Sequence, residues 1–333
     1  MGRPRNPKDA WLPPRVYRGK SAYEWRPKEG GAVKLCSLDA RRSDVWRAYE
    51  DISKSGKGLF TVAKLIDLFL ESANFKDLKP GTQDDYRECK AKLVAVFGKA
   101  PPSAVKPENV RHYMDRRGQT SRSRANRERT FLSLVYAWGY ERGLVKMNPC
   151  QGVKPFKAKA RDRYVQDWEY RAVYDRAPES VQRAMEIAYL CAARQGDVLE
   201  LKRIQLQEEG IYICQGKTGK KQIKQWSERL RQATVRYGDI ISPYVIHTQD
   251  GHKYSASGFK AMFKRSRDLA LKEGAITESF TFHDLKAKGI SDFEGDKRRF
   301  SGHQSISQME KYNRKAEVVP TIGSEQSSQT RPE

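Results

Sequence analysis

The chain has 333 residues, and its 64 Lys and Arg against 41 Asp and Glu give a formal net charge of +23. That length supports two or three small cores, and that excess favours a polyanionic partner, nucleic acid first and an acidic membrane surface second. The cations run the whole length, which excludes a neutral protein with a basic tail. The longest apolar stretch, around residues 184–193, is too short to span a bilayer, and the N-terminus lacks the apolar core of a signal peptide.

Residues 1–55 read as a small basic unit. Arg3, Arg5 and Lys8 open it, followed by Leu12-Pro13-Pro14. Short strands are expected at 16–18, 22–25 and 33–35, with Lys28-Glu29-Gly30-Gly31 as a hairpin signal between the last two. A closing helix is expected over 43–52, with Val45, Ala48 and Tyr49 on one side. A core this small leans on a partner or on DNA.

A glycine-bearing linker at 54–58 leads to a segment, 59–150, that reads as all helix. Val62, Leu65, Ile66 and Phe69 repeat at helical spacing. Thr82 is the expected N-cap of a second helix that carries Tyr86, Cys89, Leu93 and Phe97. Pro107-Glu108 starts a third, and Phe131, Leu134, Val135 and Trp138 mark a fourth that Gly143 ends. Between the last two, residues 116–124 combine Arg116, Arg117, Arg122 and Arg124 with Thr120, Ser121 and Ser123. That composition suits phosphate contact, and equally suits a solvated loop.

Residues 154–163 read as a basic interdomain linker. Beyond them helix, hairpin and helix alternate: a strand at 211–214, a turn at 216–220, a return strand at 222–226, and helices at 259–271 and 283–293. The polar residues 324–333 are expected to be disordered. The five cysteines, Cys36, Cys89, Cys150, Cys191 and Cys214, form no CxxC pair and no zinc spacing. They read as free thiols in a reducing cytosol, so a soluble, cytoplasmic protein is expected.

Five short stretches carry the chemistry. Arg194 sits in Ala193-Arg194-Gln195-Gly196-Asp197-Val198-Leu199, and Lys217 in Gln215-Gly216-Lys217-Thr218-Gly219-Lys220. His283 opens His283-Asp284-Leu285-Lys286. Ser301-Gly302-His303 precedes Tyr312 by nine residues. Each stretch alone fits a structural role; their order and spacing carry the signal. Two imidazoles, three cations and a phenol suit breaking a phosphodiester with a tyrosine nucleophile and no metal.

These boxes, in this order, resemble the tyrosine recombinases, or phage integrases. The resemblance covers roughly the last half of the chain by motif. The front extends it more loosely. The Arg-rich start, short strands and closing helix resemble the arm-binding domain of lambda-type integrases, and the helical segment resembles their core-binding domain. The implied fold is multidomain α+β: a small β-rich arm-type DNA-binding domain (1–55), an all-helical, SAM-like core-binding domain (59–153), a mixed, mainly helical catalytic domain with a small antiparallel sheet (164–323), and a tail (324–333).

The resemblance implies a site-specific DNA recombinase of a phage or mobile element. It would cleave and rejoin DNA through a covalent 3′-phosphotyrosine, for integration and excision, without metal, ATP or cofactor. Tyr312 would be the nucleophile, Arg194 and His303 would hold the scissile phosphate, Lys217 would be the general acid, and His283 would assist proton transfer at Tyr312. Asp197 would brace the fold. Arg3, Arg5, Arg18, Arg116, Arg117, Arg122 and Arg124 would contact DNA. The implied partners are double-stranded DNA at core-type and arm-type sites, a homotetramer on that DNA with segment 313–323 exchanged between subunits, a host DNA-bending protein and an excision factor. The implied location is a bacterial cytoplasm, at the nucleoid.

The chain departs from the family where an arginine is usual and Lys286 stands. Lysine keeps the charge and loses the two-pronged donor. Three readings of Lys286 stand: a working phosphate ligand, a residue replaced in function by Arg298 or Arg299, or the mark of a protein that binds DNA and cleaves it poorly. Phe300-Ser301 replaces a usual apolar pair, from which looser local packing is expected. A type IB topoisomerase shares the nucleophile chemistry but needs no arm-like unit, and a basic RNA-binding protein would explain the charge alone.

Overall fold

The computed structural model describes residues 7–27, 32–55, 60–157, 161–238 and 240–322. Arg3, Arg5, the turn at 28–31, the glycines of the first linker and the 324–333 tail lie outside the described residues. The chain divides into two compact units, residues 1–159 and 160–333.

The first unit holds two apolar clusters. β1 (Val16–Arg18), β2 (Ala22–Trp25) and β3 (Val33–Ser37) form an antiparallel sheet in sequence order, with Val16 opposite Trp25. α1 (Arg42–Ser55) packs on β3. Leu12, Val16, Tyr23, Trp25 and Val45 make the core, with Trp25 edge-on to Tyr49 at 5.8 Å. Trp11 also packs edge-on to Tyr23 at 5.7 Å.

The second cluster is helical: α2 (Val62–Glu71), α3 (Ala73–Lys76), α4 (Pro80–Phe97) and α5 (Pro107–Glu141). Val62, Leu65, Ile66 and Phe69 of α2 are all buried, as their spacing requires. Phe69 meets Phe75, Phe131 and Trp138 at centroid distances of 5.8–6.1 Å. Two expectations are corrected. Pro80, not Thr82, sets the start of α4, with Lys79 as its N-cap; a proline at the first helical position has no amide to leave unsatisfied. Residues 116–124 are also helix rather than loop. α5 runs through them and leaves helical dihedrals only at Ser121 (φ −160°, ψ 105°). There the Ser121 hydroxyl accepts from the Arg124 amide at 3.3 Å and restarts the helix.

The expected linker is partly fastened. Asn126 holds Phe156 through both its backbone groups at 2.8 Å, and Arg111 donates to the Lys154 carbonyl.

The second unit contains α6 (Asp167–Tyr174), α7 (Glu179–Leu190), α8 (Gln195–Leu199), the antiparallel hairpin β4 (Gly210–Cys214) and β5 (Lys221–Gln225), α9 (Glu228–Thr234), α10 (Ala256–Lys272), α11 (Phe282–Asp292), α12 (Lys297–Ser301) and α13 (Ile306–Glu310). The mixed, mainly helical fold with one small sheet matches the expectation from sequence. Val181, Ala184, Met185, Ile187 and Ala188 of α7 pack in one cluster with Phe259 and Phe263 of α10 and with Phe282 and Leu285 of α11. α7 and α11 touch closely at Gly289, where a Cβ would lie 2.1 Å from the Tyr189 carbonyl oxygen. No helix among the described residues is long and apolar enough to cross a membrane.

Candidate active site

The centre of α11 is sealed: every residue from Asp284 to Ser291 is buried. Its first turn presents His283 to Tyr312, which follows α13. The His283 Nε2 and the Tyr312 hydroxyl are 3.3 Å apart, with the rings edge-on. His303 stacks on Tyr312, centroid to centroid 4.8 Å. The amine of Lys286 lies 5.9 Å from the centre of the same phenol ring.

A short turn delivers His303. α12 ends at Gly302, whose φ of +69° is in the left-handed region; glycine adopts it without the penalty a Cβ brings. The Ser301 hydroxyl lies 2.7 Å from His303 Nδ1 and fixes the ring, while Phe300 stacks flat on Phe293 at 4.0 Å. The loosening expected from Phe300-Ser301 is therefore absent: serine supplies a hydrogen bond and phenylalanine finds a ring. Desolvation, with Lys286 and Arg194 adding, pushes the His303 imidazole down to about 4, so it is neutral at pH 7. His283 is held below its ordinary value by desolvation first, then by Lys286, with Asp284 pulling the other way.

Arg194 stands at the N-cap of α8, beyond a turn in which Ala192 has a φ of +49°. It donates to the Gln215 side chain at 2.8 Å and lies 3.8 Å from Asp197. Asp197 in turn accepts from the Gly216 amide at 2.9 Å. Lys217 is exposed in the turn between β4 and β5, and it lines a cleft of about 420 Å³ together with Arg194, Asp197 and Gly216. Lys286 is wholly buried and donates to the Ala192 carbonyl at 2.7 Å. Burial, reinforced by Arg194 and opposed by Asp197, draws its amine down to about 7.

The six residues expected to act fall in two groups. Arg194 and Lys217 share a cleft, and His283, Lys286 and His303 surround Tyr312. Arg298 and Arg299, considered as substitutes for the usual arginine, lie on α12 and line a cleft with Lys220, Lys221 and His303. Among the described residues no group of three or more His, Cys, Asp or Glu side chains could hold a metal ion.

Of the cations assigned to DNA contact, Arg18 is exposed at the end of β1 and Arg116 is exposed on α5. Arg122 is exposed and stacks over Phe156 at 5.8 Å. Arg117 is instead paired with the buried Glu128 at 3.0 Å, and Arg124 is paired with Asp85 and Glu88.

Several supporting residues escaped sequence reasoning. Ser291 donates to the Tyr312 carbonyl at 3.1 Å and accepts from the Arg314 amide at 2.8 Å. The Arg314 guanidinium pairs with Asp284 at 2.7 Å and donates to the Arg163 carbonyl at 3.1 Å. Burial opposes ionisation of Asp284, yet the Thr281 amide and Arg314 hold its carboxyl below the usual range. Gln215, Gln222 and Lys224 of the hairpin reach the last carbonyls of α12. An arginine two residues past Tyr312 and a glutamine two before Lys217 were visible as neighbours of the motifs, but nothing in spacing marks a long-range bond.

A model of the phage integrase family matches residues 163–318. The integrase of Enterobacteria phage 434 is 27% identical over 54% of this chain and 48% of its own length. The integrase of Escherichia phage HK022 is 23% identical over 94% of this chain and 96% of its own. The chain spans about half the length of the other curated relatives it matches. Among solved structures, a lambda integrase dimer bound to a COC' core site superposes with a TM-score of 0.69 at 20% identity, over 96% of this chain and 99% of that one. The Tn1549 transposon integrase in complex with circular intermediate DNA gives 0.62 at 15%, over 78% and 96%. At these identities the structural likeness speaks to the fold. The family match and the relatives agree with the order of the motifs: residues 163–318 are similar to the phage integrase family.

Proposed function

We propose that the chain is a site-specific DNA recombinase that cleaves and rejoins DNA through a 3′-phosphotyrosine at Tyr312. The observation that carries this is the Tyr312 hydroxyl 3.3 Å from His283 Nε2, with His303 stacked on its ring. A phenol with an ordinary pKa of about 10 needs a proton acceptor to attack at neutral pH. His283, held below its usual value, is neutral and able to accept.

In this reading the Tyr312 oxygen attacks phosphorus and passes its proton towards His283. The bond from phosphorus to the 5′ oxygen breaks, and Lys217 protonates that oxygen to give a free 5′-hydroxyl. Arg194, His303 and Lys286 face the charge that builds on the non-bridging oxygens. The phosphotyrosine keeps the energy of the broken ester, so the reverse attack rejoins the strand without ATP. Units 1–55 and 59–153 would supply arm-type and core-type DNA contacts through exposed cations such as Arg18, Arg116 and Arg122. A related lambda integrase is seen as a tetramer on a Holliday junction, and a tetramer on DNA is the assembly proposed here. A host DNA-bending protein, an excision factor and a location at the bacterial nucleoid complete the reading.

One observation favours a second reading. Lys286 is sealed in the core on the Ala192 carbonyl, which suits a protein that binds DNA without cutting it well. The two readings separate on nicked duplexes covering the junctions that flank the gene. A recombinase leaves an SDS-resistant protein–DNA adduct that Tyr312→Phe abolishes. Retention of the duplex with no adduct would leave only the binder.

A further inference from the structure

The hairpin β4–β5 is fastened to the C-terminal end of α12 by three side chains. Gln222 donates to the Arg299 carbonyl at 2.6 Å, Lys224 to that of Phe300, and Gln215 to that of Ser301 at 3.0 Å. A helix end leaves its last carbonyls short of intrahelical partners, and of these three only that of Arg299 also accepts from the Gly302 amide, at 3.3 Å. The close fit is visible at Gly302, where a Cβ would meet Gln215 Nε2 at 2.6 Å and Gln222 Oε1 at 2.8 Å.

Gln215 is the centre of this clasp. It is 6% exposed. Its Oε1 accepts from Arg194 at 2.8 Å and from the Thr218 hydroxyl at 2.9 Å. Its Nε2 donates to Ser301, which holds His303 through its own hydroxyl. Its backbone closes the turn, accepting from the Thr218 and Gly219 amides and donating to the Lys220 carbonyl. One amide therefore touches the Arg194 guanidinium, the turn that carries Lys217 and the residue before Gly302. These three segments are far apart in sequence, and each carries one of the groups proposed to act on the phosphate.

We infer that Gln215 is a positioning residue, which sets Arg194, the Lys217 turn and the Gly302–His303 turn in one fixed frame. The inference rests on the recombinase reading and deepens it. Only an amide suits the place. Its oxygen serves two donors while its nitrogen serves a carbonyl, and a carboxylate would set lone pairs against the Ser301 oxygen and hold Arg194 as an ion pair.

The test uses the full chain on nicked junction duplexes, with the scissile 5′ oxygen either normal or replaced by sulfur. A thiolate leaves without a proton donor, so the sulfur substrate relieves the need for Lys217 alone. Gln215→Ala is expected to bind the duplex as the wild type does and to form adduct about 100-fold more slowly on the oxygen substrate, the scale of a displaced catalytic group. The part of that loss that comes through Lys217 should return with sulfur. Gln215→Glu keeps the size and the Thr218 contact but ties up Arg194, so its loss should persist with sulfur. Melting temperatures close to wild type keep both variants interpretable, and the contrast in sulfur response is one that a general packing defect does not produce. Wild-type rates in both variants, or an equal response to sulfur, overturn the inference while leaving the recombinase reading standing. A wild-type chain that forms no Tyr312 adduct on either substrate overturns both.

Discussion

Lys286 occupies a place where a charge is costly. The amine is fully buried, bound to one carbonyl, and surrounded by Arg194 and Lys224. Its folded value of about 7 lies below the ordinary 10.5, so between those values the unfolded chain binds the proton and the folded chain does not. Stability accordingly rises with pH across that window and is lowest, through this group, below about 7. Catalysis runs the opposite way if the charged amine faces the phosphate. Single-turnover cleavage in the wild type should fall as pH rises above about 7, while Lys286→Arg, whose guanidinium stays charged, should stay level. Matching pH profiles for the two proteins would remove Lys286 from the reaction. The sequence showed this residue as a departure from a family pattern, and His283, His303 and Tyr312 as a spacing. It could not show that Lys286 bonds Ala192 or that Ser301 fixes His303, because both bonds depend on turns with positive φ, at Ala192 and Gly302, that no local pattern announces.

At the scale of elements, the contact of α7 with α11 is what brings Arg194 and His283 to one region. α7 leads into the Ala192 turn and Arg194, and α11 carries both His283 and Lys286. Gly289 permits that approach. Gly289→Ala would drive a methyl into the Tyr189 carbonyl, and overpacking of this kind costs about 1–3 kcal/mol. Thermal unfolding should show a Tm lowered by roughly 2–10 °C, with adduct formation reduced at temperatures where the protein remains folded. Strands and long helices were legible in advance because period-2 and period-3.6 patterns dominate them: Val16 to Trp25, Val62 to Phe69 and Phe259 to Ala270 all read directly. The break in α5 lies within the expected span but is one residue rather than a loop, for a physical reason. A run of arginines and hydroxyls looks like a loop, yet Glu128, Asp85 and Glu88 neutralise Arg117 and Arg124 along the helix surface, leaving one serine to make the bend.

At the scale of the whole molecule, the chain carries a net charge of +23, and its described residues build three apolar cores. Many cations would meet phosphates at once, and each phosphate neutralised contributes about 0.9 to the slope of log affinity against log salt. Titrating duplex DNA at several salt concentrations should give a steep line, and Arg116→Ala or Arg122→Ala should flatten it. Arg117→Ala should act chiefly on stability, because its guanidinium is held by a buried carboxylate. Composition predicted the first behaviour; the second needed coordinates, since Glu128 is eleven residues away along a bent helix.

Arg314 gives the second unit a mechanical property. One guanidinium grips the Arg163 carbonyl at the start of the unit and the Asp284 carboxylate beside His283, while its own amide hangs from Ser291 together with the Tyr312 carbonyl. A pull on the chain beyond Tyr312 is therefore not absorbed locally. It loads the segment at Arg163, the head of α11 and Tyr312 together, with Lys297 on the Asn313 side chain sharing the load.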